Sequence, residues 1–227
     1  MKENYLVATA KSWNNEEFNN LKNKDKKNNW FLITDKKDLT PLKIKKINPK
    51  IIFFPHWSWI ISEDIWSNFE CIVFHMTDLP YGRGGSPLQN LIMRGHTRTK
   101  ISALRVNAGL DTGDIYCQKN LSLKGNAEEI FRRAAKNIFR KIIPFIINNH
   151  PKPKSQQGKI VLFKRRKPKQ SKILPSFNLN KTYDIIRMLD AEGYPQAFLE
   201  TKKLKFDLSK AKFKNNKIIA QVDIYEK

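Results

Sequence analysis

The sequence predicts an α/β fold: a mostly parallel, Rossmann-like sheet with helices on both faces, followed by a small C-terminal α+β subdomain with hairpin strands. Continuous apolar runs occupy residues 5–9, 30–34 and 51–54, and polar, helix-compatible intervals separate them. Such runs are typical of parallel strands that are buried on both faces. The 227 residues, of which 40% are hydrophobic, suffice for one good-sized core.

The first half of the chain alternates predicted strands and helices. Ser12 is expected to cap a helix over residues 14–21. A further apolar run over residues 71–74 predicts a strand that leads into His75. Ligands of parallel α/β sheets bind beyond the carboxyl ends of the strands. We therefore expect the segment 55–59 and His75 to lie at the same edge of the sheet.

The middle of the chain continues with a helix, two strands and a longer helix. Pro87 is expected to open the first helix and Gly95 to end it. The predicted strands are residues 101–106 and 115–121. The longer helix, over residues 127–143, carries one apolar stripe, and Pro144 is compatible with its end or with a kink.

Changes of composition along the chain divide it into three predicted segments. The α/β domain comprises residues 1–147, a basic linker rich in Pro, Lys, Arg and Gln comprises residues 148–173, and the small subdomain comprises residues 174–227. Within the last segment, the pattern predicts a helix over residues 181–189, a turn over 190–195, and antiparallel strands over 197–201, 204–208 and 218–224.

Composition bounds the location and the partners of the protein. The chain begins without an apolar signal region and has no apolar run of membrane-spanning length, so a cytoplasmic protein is expected. Cys71 and Cys117 have neither metal-knuckle spacing nor disulfide density, which predicts two reduced thiols. The net charge of +22 fits attraction of an anionic substrate, a compositional lysine bias, or nucleic-acid binding.

Two short motifs carry the chemical signal. The first, HMTDLPYGRGGSPLQ over residues 75–89, joins an imidazole to a turn that contains Pro, paired Gly and a guanidinium. The second, GLDTGD over residues 109–114, supplies a carboxylate-bearing loop. Together they resemble the folate-dependent formyltransferases, whose pattern is a His, a Leu-Pro turn, an Arg-Gly pair and then Leu-Asp-Thr-Gly-Asp at this distance. The resemblance covers roughly residues 50–125 well and the tail moderately.

The resemblance implies that His75 and Asp111 are the catalytic residues of a formyltransferase domain. Formyl transfer to an amine passes through a tetrahedral adduct, so a proton must leave the acceptor and the developing oxyanion needs donors. His75 would polarise the formyl group and carry the proton, while Asp111 would assist deprotonation or orient His75. Taken singly, the two could be a buried histidine and a turn residue; the joint motif favours the catalytic interpretation.

The same resemblance implies sites for the formyl donor, N10-formyltetrahydrofolate, and for the acceptor; no metal is expected. The expected folate-binding residues are Thr77, Asp78, Leu79, Pro80, Val106, Asn107, Gly109, Leu110 and Asp114. Arg83 could hold an acceptor anion or fix the turn. Lys164, Arg165 and Arg166 form either a solvated charge cluster or a diphosphate clamp. Tyr194 lies in a segment that resembles part of the amino-sugar formyltransferases, where it shapes the acceptor pocket.

One position departs from the family pattern. The family usually carries an Asn two residues before the His as an oxyanion donor, and here that position is Val73. Loss of one such donor can cost about a hundredfold or more in rate. A replacement would come from a backbone amide or from one of four side chains: His56, Ser58, Thr77 or Asn107. Alternatively, the protein is a poor catalyst.

The acceptor is the least constrained part of the prediction. Only about fifty residues follow the linker, fewer than the barrel domain of methionyl-tRNA formyltransferases requires. We therefore expect a nucleotide-activated amino sugar, formylated for surface polysaccharide synthesis. The alternatives are a methionyl-tRNA formyltransferase-like enzyme and a folate- or nucleotide-sugar-binding protein with impaired turnover. The expected partner is a small anionic substrate rather than nucleic acid or membrane, and a homodimer remains open.

Overall fold

A computed structural model describes residues 2–227 and contains a six-stranded sheet in the order β2-β1-β3-β4-β6-β7. Its strands are β1 (Asn4–Ala8), β2 (Asn29–Ile33), β3 (Ile51–Phe54), β4 (Cys71–His75), β6 (Arg98–Arg105) and β7 (Ile115–Ser122). Two further strands, β5 (Tyr81–Gly84) and β8 (Val161–Phe163), pair with each other outside this sheet. Strands β2, β1, β3 and β4 pair in parallel, and β6 runs antiparallel to β4. The predicted, mostly parallel sheet is confirmed.

Seven α-helices connect and follow these strands in the described part of the chain. They are α1 (Trp13–Lys24), α2 (Pro41–Ile47), α3 (Glu63–Trp66), α4 (Pro87–Met93), α5 (Ala127–Asn137), α6 (Ile143–Asn149) and α7 (Leu179–Arg187). The sequence pattern predicted the interval that holds α2 only as helix-compatible, and it did not predict the short helix α3. Pro at the first turns of α2 and α4 fits, since its missing N–H is not needed there.

The sheet forms because its central strands are apolar on both faces. Every residue of β3 is buried, and so are residues 5–8 of β1. This double burial explains why these strands appear as continuous apolar runs rather than as alternating patterns. The pairing of β3 with β4 sets Phe54 opposite Val73, so the chain leaves both strands at nearly the same level. The carboxyl ends of β3 and β4 therefore lie next to each other at one edge of the sheet.

The structure corrects two details of the helix predictions. Ser12 has helical backbone angles and makes no side-chain capping hydrogen bond, so it does not cap α1. The predicted helix 127–143 is interrupted by a π-helical turn, Ile138–Ile142, and α6 continues beyond it with Pro144 in its first turn. Proline lacks an N–H and clashes with the preceding turn, which accounts for the changed hydrogen-bond register here.

The chain divides into two compact units. The first comprises Met1–Arg83, Lys100–Leu121 and Arg132–Leu162, and the second comprises Gly84–Thr99, Ser122–Phe131 and Phe163–Lys227. The second unit holds an antiparallel three-stranded sheet of β9 (Ala197–Glu200), β10 (Leu204–Lys214) and β11 (Lys217–Glu226). The expected hairpin strands are thus confirmed, although β10 and β11 extend further than predicted. No helix in residues 2–227 is long and apolar enough to cross a membrane.

A cavity of about 320 Å³ lies in the first unit at the amino edge of the sheet. It lies between α1, the start of β2 and the π-helical turn, and its wall includes Trp30. There Arg140 donates two hydrogen bonds of 2.7 Å to Glu17, a carboxylate that is only 4% exposed. Because His75 ends a parallel strand at the carboxyl edge, this cavity is separate from the motif residues.

Candidate functional site

The two motifs meet at His75 and Asp111, in the first unit. His75 is the last residue of β4 and is 8% exposed. Its Nδ1 lies 3.5 Å from Oδ2 of Asp111, and its Nε2 lies 2.7 Å from the carbonyl oxygen of Gly82. When Nε2 carries a proton and donates it to the Gly82 carbonyl oxygen, the unprotonated Nδ1 faces the Asp111 carboxylate. The pair can therefore hold one proton between Nδ1 and Oδ2.

Backbone conformation brings the Asp111 carboxylate to this place. Asp111 has a φ of 54°, in the left-handed region that Asp tolerates better than most residues. Gly113 is buried, and a Cβ there would meet the Arg105 carbonyl oxygen at 1.7 Å. The side-chain oxygen of Asn107 accepts hydrogen bonds from the Gly109 N–H at 3.1 Å and the Thr112 hydroxyl at 2.8 Å. The loop is thus held by hydrogen bonds among its own polar groups and by the close packing of Gly113 against the Arg105 backbone.

A glutamine that the sequence analysis did not single out joins the two motifs. Arg83 donates from Nε and Nη2 to the side-chain oxygen of Gln156, at 3.0 and 2.8 Å. The amide nitrogen of Gln156 donates to the carbonyl oxygens of Asp111 and Gly113, at 2.9 and 2.8 Å. Arg83 therefore helps to fix the loop through Gln156. No local sequence signal marks Gln156, because its partners lie more than forty residues away in the chain.

The turn that follows His75 is ordered by buried contacts. Thr77 is fully buried, and its carbonyl oxygen accepts a hydrogen bond of 2.7 Å from the Ser102 hydroxyl. Leu79 and Pro80 are also buried and are joined by a cis peptide bond. Asp78 is exposed and accepts from Gln118 at 3.0 Å and Lys100 at 3.1 Å.

The second expected folate segment combines apolar and polar surface. Val106 is half-buried, whereas Asn107 and Gly109 are exposed and Leu110 is 62% exposed. Asp114 is half-buried, and its carbonyl oxygen accepts from the Arg105 N–H at 2.9 Å. An exposed leucine beside polar loop residues is the kind of surface that a flat heteroaromatic ring with hydrogen-bonding edges contacts. The contact of this segment with the pterin of the expected donor stays a prediction.

Val73 lies in an apolar environment rather than beside an open polar position. It packs against a cluster that includes Phe54 and Cys71, and Trp57 and Val106 cover the same cluster. Burying a primary amide without partners costs free energy, because the amide loses hydrogen bonds to water. The space around Val73 is therefore suited to an aliphatic side chain.

Replacing Val73 by Asn is expected to lower the free energy of unfolding by about 1 to 3 kcal/mol, because an amide is buried among apolar groups. We expect no gain in turnover. Urea denaturation and steady-state rates would measure both effects, with Val73→Ala as the control for lost packing alone. A faster Val73→Asn enzyme would contradict this expectation and would show that the donor position is open.

His56 is shielded within a polar cluster at the ends of β1 and β3. Its Nδ1 lies 3.4 Å from the indole nitrogen of Trp13 and within 3.1 Å of the Asn14 amide, which also donates to the Thr9 hydroxyl. Its Nε2 is closed off from solvent. Burial, together with the nearby Lys11 charge, lowers the pKa of His56 to about 4. This packing assigns His56 to the architecture of the edge rather than to a substrate contact.

We expect the neutral His56 to make the fold sensitive to acid. The unfolded chain protonates this ring near its ordinary pKa of 6.5 and the folded chain only near about 4, so stability falls as the pH drops through that window. The loss should approach roughly 3 kcal/mol at the acid end. Urea midpoints at pH 7.5 and 4.5 should therefore differ less in His56→Gln than in the wild type. Equal pH dependence in the two proteins would rule out this origin.

The remaining side chains proposed as donors, Ser58, Thr77 and Asn107, differ in their availability. Ser58 is exposed. The hydroxyl of Thr77 lies 3.4 Å from the Gly82 carbonyl oxygen, and the Asn107 oxygen is occupied within its own loop. Thr77 and His75 contact the same carbonyl oxygen, that of Gly82.

Apart from Arg83, which belongs to the first unit, the expected acceptor residues lie in the second unit. Arg166 donates to the Gln170 carbonyl oxygen at 2.6 Å, and burial lowers its pKa. Lys164 and Arg165 are exposed. Tyr194 stacks on Phe131 with ring centroids 5.3 Å apart, and burial raises its pKa to about 12.

Neither cysteine belongs to a reactive or metal-binding group. Burial raises the pKa of Cys71 to about 12 and that of Cys117 to about 11, so both thiols resist ionisation. Within residues 2–227, no three His, Cys, Asp or Glu side chains are grouped so as to hold a metal ion.

Comparisons with known proteins identify the family. The family model described as formyl transferase matches residues 24–143, and the model described as methionyl-tRNA formyltransferase, C-terminal domain, matches residues 168–225. A methionyl-tRNA formyltransferase of Caldicellulosiruptor saccharolyticus is 35% identical over 89 residues, which cover 38% of this chain and 29% of that relative. The chain thus spans under a third of the length of this curated relative.

Solved structures extend the likeness over the whole chain. A methionyl-tRNA formyltransferase from Clostridium thermocellum is 54% identical, with a TM-score of 0.97 over 99% of this chain and 100% of that one. A 4-N formyltransferase from Francisella tularensis shares the fold, at 15% identity and a TM-score of 0.70 over 88% of this chain and 93% of that one. Matched motifs, fold and identity over its full length lead to one conclusion: the chain belongs to the formyl transferase family.

Proposed function

We propose that this protein transfers a formyl group from N10-formyltetrahydrofolate to the amino group of methionyl-tRNA. The proposal of formyl transfer rests on the juxtaposition of His75 Nδ1 and Asp111 Oδ2 at 3.5 Å within the family motif. The amine nitrogen would form a bond to the formyl carbon, the bond between that carbon and N10 would break, and tetrahydrofolate would leave with the proton that the amine gives up. Residues of the Thr77 turn and of the loop from Val106 to Leu110 would hold its pterin.

His75 and Asp111 would manage the proton that the acceptor amine must lose. The Nε2 contact to Gly82 holds the ring, so that Nδ1 remains directed at the carboxylate. A proton received by this pair is shared between a nitrogen and an oxygen in a largely buried environment, where water competes little. Thr77, which shares the Gly82 carbonyl, is our candidate for the donor that Val73 does not provide.

The choice of acceptor rests on the relative of 54% identity and on the match of residues 168–225 to a methionyl-tRNA formyltransferase C-terminal domain. The sequence alone favours a nucleotide amino sugar, with methionyl-tRNA as the alternative. The sugar N-formyltransferase likeness is only 15% identical and supports the fold alone. The shortness of the tail, which had argued against tRNA, loses its weight, because the 54%-identical relative is covered completely by this chain.

A direct assay separates the two acceptors. Labelled formyl-tetrahydrofolate would be offered with methionyl-tRNA, and separately with nucleotide-linked 4-amino sugars, and formylated product would be quantified. We expect product with methionyl-tRNA only. Transfer to the sugars alone would restore the first expectation, and no transfer to either would support a binding protein with impaired turnover.

The basic segment before the C-terminal subdomain provides a prediction on acceptor binding. Replacing Lys164 and Arg165 by Gln is expected to raise the KM for methionyl-tRNA by about tenfold, because exposed cations neutralise backbone phosphates. The KM for the folate donor should change little. Lys45→Gln with Lys46→Gln, which removes equal charge from an exposed surface of α2 in the first unit, is the matched control. An equal loss of donor and acceptor binding would instead indicate a folding defect.

A further inference from the structure

We propose that Gln156 is a positioning residue that holds the Asp111 carboxylate in place for proton exchange with His75. This inference rests on the proposed formyl transfer. It arises from a segment that neither motif contains and that the sequence analysis assigned to a linker.

The hydrogen bonding of Gln156 is complete. A primary amide offers two N–H donors and an oxygen with two lone pairs. Here both donors are used by the carbonyl oxygens of Asp111 and Gly113, and the oxygen accepts twice from Arg83. One half-buried side chain thus joins the Arg-Gly turn of the first motif to the Asp-Thr-Gly-Asp loop of the second.

The backbone on both sides of Gln156 is tied to the same two regions. Ile115 and Lys154 exchange two backbone hydrogen bonds, of 2.8 and 2.9 Å, immediately after the Asp111 loop. Further along, the Val161 N–H lies 3.3 Å from the Pro80 carbonyl oxygen in the turn after His75. The segment therefore crosses from one motif to the other, and these contacts determine where Gln156 can reach.

Asp111 needs such support because of its conformation. Its left-handed φ of 54° is one that a non-glycine residue adopts only when the surroundings hold it there. Gln156 binds the carbonyl group of Asp111 itself and that of Gly113 two residues later, so it restrains the backbone from which the Asp111 side chain extends. A displacement of about 1 Å at a catalytic group can cost on the order of a hundredfold in rate. Loss of the amide should therefore act on turnover rather than on donor binding.

The first test compares Gln156→Met with Gln157→Met in the full-length protein. Gln157 is the adjacent, exposed residue and provides the same change of side chain. We expect Gln156→Met to lower kcat for formyl transfer by about ten- to a hundredfold, with the KM for formyl-tetrahydrofolate within about threefold. Gln157→Met should behave as the wild type. Equal kcat values for the two variants would overturn the proposal.

Gln156→Glu separates the two halves of the contact. The carboxylate keeps the acceptor for Arg83 but removes both donors to the loop. We expect this variant to be at least as slow as Gln156→Met. A near-normal rate in Gln156→Glu would assign the effect to Arg83 and would reject a role through Asp111.

A double-mutant comparison shows whether Gln156 acts through Asp111. When Asp111 is already Asn, adding Gln156→Met should change kcat by less than about twofold, because the group that was being positioned is gone. A merely structural role predicts that the two losses multiply. Multiplicative losses, in two variants that melt at similar temperatures, would overturn the inference.

Hydrogen exchange provides a readout that does not depend on turnover. Backbone amides of residues 107–115 should exchange faster in Gln156→Met than in Gln157→Met, while those of β10 and β11 should be unaffected. Faster exchange in Gln156→Met would show that Gln156 holds the loop. If the wild type nevertheless transfers no formyl group to any acceptor, the proposed function fails, and the role of Gln156 in catalysis fails with it. If the wild type is active and exchange is unchanged, the inference alone fails.

Discussion

Turnover is expected to fall by about a hundredfold or more in both His75→Gln and Asp111→Asn, because each change removes one member of the pair that we propose accepts the proton. In His75→Gln the amide nitrogen can still reach the Gly82 carbonyl oxygen, which is 2.7 Å from Nε2, but it cannot take up a proton at neutral pH. In Asp111→Asn the side chain keeps its shape and tolerates a φ of 54°, but it loses its negative charge.

Steady-state kinetics with formyl-tetrahydrofolate and methionyl-tRNA would measure these losses. His150→Gln is the control, since this exposed histidine also has a left-handed backbone and lies at the end of α6. Thermal melting should show that both site variants fold. A variant that retains more than about a third of the wild-type kcat would exclude its residue from the proton path.

Gly113→Ala is expected to abolish most of the activity through geometry alone. The added Cβ would stand 1.7 Å from the carbonyl oxygen and 2.8 Å from the carbonyl carbon of Arg105, so the loop must move. The displaced loop carries the Asp111 carboxylate, and misplacement of that order costs about a hundredfold in kcat. Forced overpacking should also lower the free energy of unfolding by roughly 1 to 3 kcal/mol.

Gly95→Ala separates steric overlap from a general intolerance of glycine replacement. Gly95 has a φ of 78°, and a Cβ there would meet no heavy atom within 4 Å. Its replacement should cost about 1 to 2 kcal/mol of stability for the left-handed backbone and leave kcat unchanged. Urea denaturation would measure the stability of both variants, and initial rates would measure their kcat. Normal kcat in Gly113→Ala would show that the loop tolerates displacement.

Much of the fold follows from local pattern. Double burial makes β1, β3 and β4 continuous apolar runs, which is why strands and their parallel arrangement could be predicted. The π-helical turn at Ile138–Ile142 was not predictable, because the apolar stripe continues through it and Pro144 allows either an end or a kink. Ser12 shows the same limit at a terminus, where the residue type favours capping but the backbone is already helical.

The sequence by itself determined which residues the two motifs supply to the proposed centre, His75 and Asp111, and the fold places Nδ1 of one 3.5 Å from Oδ2 of the other. Only the tertiary structure decided what surrounds them. It shows Val73 packed against an apolar cluster, the Nε2 atom of His56 closed off from solvent, and Arg83 bound to Gln156. The physical reason is that motifs specify residues through local spacing, whereas burial and hydrogen-bond partners depend on segments far apart in the chain.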